Sequence, residues 1–532
     1  MTSGADLIAE RLAAEGITHA FGIPGGEVLA LVDALERAGI RFILARHENS
    51  AGFMAEGVWH ATGKPAVLIA TIGPGMTNAV NVVANAYQDR VPMILITGCV
   101  DQATAESYTH QVIDHAAILA PITKARFRAE TGTEDLVTDK ALTIAQAPRR
   151  GPVHIDLPIT VAERTIPPRA VVRTRPARQG LSPDLDAAAA MVARARRPLV
   201  LAGLDLVDAA GAAALDQFLS ATGAPLLTTY KAKGLLPESD PRVIGAVGLS
   251  PIADRIVRPL VETADLIVLA GYDPIEMRAG WRHPWGPDRA VIDIVAEAMP
   301  HGMHSANLTM AGDVAAMLAA LAGRAVLAPT WTDGLARDTR EAFREAFRPK
   351  VEWGPAAVFE TMRAAAPENA VATADSGAHR ILLSQMWDPR KPGGLIQSSG
   401  FCTMGCAVPL AAGLSLASAG RPVVAFVGDA GLEMVLGELA TMRDLALPVV
   451  IVVLVDRCLT LIEMKQRASG LARAGVDFGG TDFAAVARAL GGAGVTVASR
   501  AELAEAAAAA FASPGFTVIA ADIGTSAYDG TF

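Results

Sequence analysis

The run RPVVAFVGDAGLEMVLGELATMRDLALPVVIVVLVD, residues 421–456, constrains this chain more than any other. Two apolar stretches of strand length, RPVVAFV ending at Val427 and PVVIVVLV ending at Val455, enclose LEMVLGELATMRDLAL, whose apolar residues recur at helical spacing. Neither apolar stretch alternates, so each reads as a strand buried on both faces. Strand, helix and strand in that order make a βαβ unit, with parallel strands and a right-handed crossover. Asp429 and Asp456 each follow the carboxyl end of one of these strands. If the strands are neighbours, two carboxylates converge on the edge where open α/β sheets bind ligands.

The small residues before Leu432 let backbone approach a ligand, and the helix start that follows favours anions. Two acidic side chains there suit Mg²⁺ bridging a phosphorylated cofactor. The plainer alternative makes Asp429 a helix N-cap and Asp456 a turn residue. Pattern alone leaves both open. Ala430, directly after Asp429, raises a separate question, because it needs a backbone that tolerates Cβ where glycine would be free.

The same alternation of buried strands and helical periods runs through nearly all 532 residues, enough for roughly three domains of ~150 residues. The expected fold class is α/β, with three doubly wound parallel-sheet domains. The first, 1–165, contains HAFGI, RFILA, PAVLIAT, PMILIT and GPVHIDLP as strands, with helices over GEVLALVDALERAG and from Asn49 and Met76. The second, 185–327, contains ADLIVLAGYDP and RAVIDIVAEA; the third, 350–532, contains AVATADSG and the βαβ unit. Stretches Ile166 to Pro183 and Ala328 to Gly334 read as linkers.

Composition narrows the function. The net charge of −9 is spread along the chain without a basic stripe, which argues against nucleic acid. Apolar runs such as PVVIVVLV are too short to span a bilayer, and the N-terminal segment is an amphipathic helix without an apolar signal core. The four cysteines form no C-x-x-C pair; Cys402 and Cys406 have the spacing of one helical turn and read as packing residues. A reducing, cytoplasmic setting without membrane attachment is the expectation.

FGIPGGE, RHENSAGFMAEG, TIGPGMTNAV, GPVHIDLP, TTYKAKG, AGYDP, DSGAH, GFCTMGCAVPLAAG and VGDAGLEM…VVLVD occur in that order along the chain. In motif and order, the chain resembles the thiamine diphosphate enzymes of the acetolactate synthase and pyruvate oxidase type. That resemblance implies a pyrimidine-binding, a central and a diphosphate-binding domain. It implies Mg²⁺ held by Asp429, Asp456 and the backbone carbonyl of Cys458. Family members usually have glycine at Ala430 and asparagine at Asp456; aspartate there resembles the catabolic acetolactate synthases. Glu48 matches the glutamate that hydrogen-bonds the cofactor's aminopyrimidine ring. Gly25, Gly73, Gly377, His379, Met404, Gly428, Ala430 and Gly431 match positions that surround the cofactor. Gln111 matches a glutamine facing the reacting centre, with His110 in place of a phenylalanine. His110 and His115 are candidate acid–base groups near neutral pH or simply polar loop residues.

The resemblance further implies decarboxylation and carboligation of a small-molecule 2-oxo acid, with acetolactate formation leading. A decarboxylase or C–C lyase acting on another carbonyl substrate is the alternative, and a catalytically silent relative a third. LAGLDLVDAA replaces a glycine-rich turn of flavin-binding relatives, which argues against FAD. A homodimer or homotetramer is implied, with each cofactor between two subunits.

Overall fold

The computed structural model describes residues 2–167, 180–324, 330–418 and 420–532. Most of the first stretch read as a linker, and the start of the second, lie outside these residues. Three six-stranded sheets, each wholly parallel, follow one another along the chain. Their strands are short runs of Val, Ile, Leu and Ala; all seven residues of Val449–Val455 are buried. Burial on both faces requires helices above and below, and crossovers between parallel strands supply them. A small antiparallel pair joins Thr2–Ser3 to Thr165–Ile166 at the margin of the first domain.

The first sheet runs Arg41–Leu44, His19–Gly22, Ala66–Ala70, Met93–Cys99, Val153–Pro158, Ala125–Arg128. The third runs Leu395–Gln397, Val371–Ala374, Val423–Gly428, Val449–Val455, Thr517–Asp522, Ala493–Val497. Both have the same topology: the second strand in sequence lies outside the first, and the order reverses between the first and third. The central sheet runs Val243–Ala246, Leu226–Thr228, Pro198–Ala202, Leu266–Ala270, Ala290–Val295, Leu308–Ala311, reversing between Pro198–Ala202 and Leu266–Ala270. Each reversal leaves a crevice at the carboxyl edge, where loops diverge in opposite directions.

The helices expected from Asn49 and Met76 begin slightly earlier, at Glu48 and Pro74. The segment LEMVLGELATMRDLAL is not one helix. It divides into Asp429–Glu433 and Glu438–Asp444 around a turn. At the break, Arg46 of the first domain packs its Cβ toward Gly437, and its amide donates to Glu438 Oε1 at 3.1 Å. Cys402 and Cys406 do not share a helix either. Cys402 has a left-handed backbone (φ 59°), and both precede the helix Ala407–Ala417.

The first and third domains meet through two helices, Glu48–Thr62 and Ala407–Ala417, packed backbone to backbone. A side chain on Gly57 would meet Leu410 and Leu414, and one on Gly413 would meet the backbone of Met54. Arg90 and Arg149 tie the first domain to Asp273 of the central one, at 2.5 and 3.2 Å. Tyr230 of the central domain accepts a hydrogen bond at its hydroxyl from Gln385 of the third, 2.7 Å.

Candidate active site

The crevice of the third sheet lies between the loops that leave Val371–Ala374 and Val423–Gly428. From the first loop, Asp375 is fully buried and pairs through Oδ1 with His379 Nε2 at 2.7 Å. Its Oδ2 accepts the amide of Gly405 at 2.7 Å, the residue after Met404. Gly377 precedes the helix Ala378–Met386, and its Cα lies against the His379 ring. From the second loop, Gly428 also faces that ring, and Gly431 sits against Asp375 so closely that no side chain fits. Gly377, His379, Met404, Gly428 and Gly431 are thus knit into one wall. Asp375 ties it together, and the sequence reading missed its role although it lies within DSGAH; its i, i+4 spacing to His379 was the available signal.

Asp429 and Asp456 do converge, because Val423–Gly428 and Val449–Val455 are adjacent parallel strands. Asp429 is not an N-cap: that position is Gly428. Its Oδ2 instead accepts amides of Asp456 (3.1 Å) and Arg457 (2.7 Å), while Oδ1 accepts that of Ala430 (2.9 Å). Asp456 accepts the Cys458 amide on Oδ1 (3.2 Å) and the Thr460 hydroxyl on Oδ2 (2.5 Å). The two carboxylates are 4 % and 5 % exposed. Burial raises both above the usual range, Asp456 to about 6, where the Asp429 charge adds to the rise. Arg457 does not neutralise them, since its guanidinium pairs with Asp522 at 2.6 Å. Two buried, like-charged carboxylates suit a hard divalent cation, for which carboxylate and carbonyl oxygen are the preferred donors. The backbone at Ala430 does not require glycine. It lies in the helical turn Asp429–Glu433, outside the left-handed region.

The crevice of the first sheet holds a second cluster. Glu48 opens its helix and is 5 % exposed. Its Oε2 accepts from Asn78 Nδ2 at 3.0 Å, and Oε1 faces Gly75. Thr71 donates to Glu27 beside Gly25, at the loop following His19–Gly22. Gly73 takes φ 64° with the Gln111 backbone against it, so both its torsion and its surroundings require glycine. Gln111 and His110 lie on an exposed loop, His110 edge-on to the Tyr108 ring. One turn beyond Asn78, Asn81 donates to Asn49 (2.9 Å) and accepts from Thr403 (3.5 Å), the residue before Met404. The Glu48 loop and the Met404 loop are therefore joined within one chain. Nothing in the sequence marks Asn78 or Asn81, because their partners are some thirty or more residues away.

His115 is buried and accepts the Gly73 amide on Nε2 at 3.1 Å. Its proton therefore sits on Nδ1, directed to Asp156 Oδ1 at 2.8 Å. Thr97 donates to the same oxygen (2.6 Å) and takes the His154 Nε2 proton (2.7 Å). Burial pushes the Asp156 carboxyl up, but the hydrogen bonds from His115, His154 and Thr97 outweigh it and hold it well below the usual range. His115 is not a loop residue but a buried one that opens the helix His115–Leu119, and its ring hydrogen-bonds Gly73 and Asp156.

The central crevice differs. Gly203 and Gly271, which directly follow its two flanking strands, lie backbone to backbone, and the turn Leu204–Leu206 packs against Gly271. No helix of the described residues is long and apolar enough to cross a membrane.

Comparison with known proteins assigns this arrangement. Residues 2–118, 185–321 and 375–521 match, in order, the N-terminal TPP binding domain, central domain and C-terminal TPP binding domain of thiamine pyrophosphate enzymes. The chain is 30% identical to the acetolactate synthase of Bacillus subtilis (strain 168) over 94% of its own length and 90% of that protein's. It is 32% identical to the acetolactate synthase isozyme 1 large subunit of Escherichia coli (strain K12), over 87% of this chain and 83% of that one. The catabolic acetolactate synthase of Raoultella terrigena is 29% identical over 93% and 90%. The chain belongs to the family of thiamine pyrophosphate enzymes, as a member of the acetolactate synthase type.

Proposed function

We propose that the protein uses thiamine diphosphate and Mg²⁺ to decarboxylate a 2-oxo acid and join its acyl carbon to a second carbonyl, pyruvate to acetolactate being the leading reaction. The observation that carries this reading is the pairing of a buried Glu48 in one switch-point crevice with buried Asp429 and Asp456 in another of the same topology. When bound, thiamine diphosphate supplies the electron sink that lets a 2-oxo acid lose CO₂. Glu48 would hold a proton at Oε1 toward the aminopyrimidine ring. Asp429, Asp456 and the Cys458 carbonyl would hold Mg²⁺. His379, Gly377, Gly428, Ala430 and Gly431 would line the diphosphate, Met404 would support the cofactor from below, and Gly25 and Gly73 would bound the pyrimidine side. Gln111 and His110 would face substrate. The same reading carries domain limits of 1–165, 185–327 and 350–532.

The turn Leu204–Leu206, packed on Gly271 where flavin-binding relatives carry a glycine-rich turn, supports a flavin-free enzyme. A homodimer or homotetramer accords with apolar side chains left bare beside both clusters: Tyr108 and Ile113 around Gln111, Phe401 and Met434 around Met404 and Asp429. The test is a panel of 2-oxo acids and diketones with thiamine diphosphate and Mg²⁺, scored for CO₂ and coupled product. Acetolactate from pyruvate by a colourless protein is the expected result. Turnover confined to other carbonyl substrates selects the decarboxylase or lyase reading, and a flavin band near ~450 nm defeats the flavin-free one.

A pH dependence follows from the raised carboxyls. An unfolded aspartate titrates near ~4. The metal-free protein therefore draws stability from protonated Asp456 below ~4 and loses it as pH rises through about 6. Mg²⁺ needs the ionised forms. Its affinity, measured by calorimetry, is expected to weaken steadily as pH falls below about 6; a flat affinity would contradict Asp456 as a ligand.

A further inference from the structure

The central domain carries a cluster that the proposed reaction does not use. Asp293 lies in the strand Ala290–Val295, and His301 and His304 lie on the crossover that follows it. Each of the three offers one ligand atom within 4.8 Å of the other two. The side chains of His304 and Asp293 are only 2 % and 10 % exposed. Nε2 of His304 is buried without a hydrogen-bond partner, and so is Oδ1 of Asp293. The groups stand side by side, with 3.5 Å between Nε2 and Oδ2. Adjacent orphaned polar atoms in a protein interior are rare and call for a partner.

The surroundings favour a cation. The carboxylate disfavours an anion. His301 Nδ1 accepts the Met303 amide at 3.0 Å, which leaves its other ring nitrogen for a ligand. The Tyr272 and Trp285 rings stand 5.5 and 5.3 Å from the His304 ring and hold its plane. Two imidazoles with one carboxylate suit zinc-class ions and not Mg²⁺ or Ca²⁺, which prefer oxygen alone. The His115, His154 and Asp156 group provides the contrast. There the Gly73 amide, the Thr97 hydroxyl and Asp156 partner both nitrogens of His115 and Nε2 of His154, which leaves a single buried nitrogen, His154 Nδ1, without a hydrogen-bond partner and no orphaned neighbour beside it.

We propose that Asp293, His301 and His304 bind one first-row transition-metal ion of the zinc class, with a remaining position for water. The ion would pin the crossover to the sheet beside Tyr272. The next residue, Asp273, receives Arg90 and Arg149 of the first domain, so the site would stiffen the seat of the domain that carries Glu48.

The test uses the full-length protein, stripped with chelator, reloaded with thiamine diphosphate and excess Mg²⁺, then titrated with Zn²⁺ and with Co²⁺ for its spectrum. One Zn²⁺ per chain is expected, with visible Co²⁺ bands of a nitrogen- and oxygen-ligated site and a Tm that climbs with Zn²⁺ concentration. His304→Gln and His301→Gln should each weaken binding about 100-fold or more. Asp456→Asn should leave Zn²⁺ stoichiometry unchanged, which separates this site from the proposed Mg²⁺ site. The more exposed His301 keeps the test usable if His304→Gln fails to fold. Absence of Zn²⁺ binding by the wild-type chain, or full binding by folded His301→Gln, overturns the assignment.

Discussion

Glu48→Gln is expected to lower turnover by ~10²–10⁴ while the protein stays folded. Glutamine has the same shape, and its amide oxygen can still accept from Asn78, so the buried contact at 3.0 Å survives. What it cannot do is hold and return a proton at the Oε1 position. The loss should therefore fall on kcat, with thiamine diphosphate affinity and circular dichroism little changed. Asn78→Ala separates positioning from proton exchange: it removes the partner, leaves the carboxyl, and should cost much less. Turnover of Glu48→Gln equal to wild type would sink the mechanism proposed for this residue.

Gly413→Val should have the largest effect on stability. The helices Glu48–Thr62 and Ala407–Ala417 touch without intervening side chains. A Cβ on Gly413 would stand 2.7 Å from the Met54 carbonyl carbon and 2.9 Å from its Cα. Backbone in the middle of a packed helix cannot yield as the end of a flexible side chain does, so the helices must separate. Overpacking of this kind costs about 3 kcal/mol or more at its severe end. One helix begins with Glu48 and the other follows Met404, so the wedge also pulls apart the loops joined through Asn81. A lowered urea midpoint and a loss of activity are expected together, with Gly413→Ala intermediate. An unchanged midpoint would mean that the two domains do not pack this way in solution.

Much of the architecture was legible because buried parallel strands have a signature that depends little on context. Runs such as VVIVVLV exclude most alternatives, and Asp429 and Asp456 at their carboxyl ends could be placed at a sheet edge before any coordinates. The helix after Asp429 was misread for the opposite reason. Its apolar spacing continues unbroken, whereas the break falls where Arg46, nearly 400 residues earlier in the chain, meets Gly437 and Glu438. Local pattern carries no information about a visitor of that kind. His115 shows the same limit: the sequence presents an ionisable loop residue, whereas the fold aims the Gly73 amide at one ring nitrogen and Asp156 at the other.

The sequence by itself determined the α/β class, the three parallel sheets and the positions of the two aspartates, since burial and strand length act within a few residues. Only the tertiary structure decided what Ala430 means. The residue reads as an awkward substitution for glycine, but the turn Asp429–Glu433 is helical, so the backbone there does not demand glycine. Only the fold, likewise, packed Gly203 against Gly271 and turned the crossover after Ala290–Val295 back so that His304 meets Asp293. The first contact joins segments far apart in the chain and is set by how strands order within a sheet, the second by the path of the crossover, and neither by any residue's own preference.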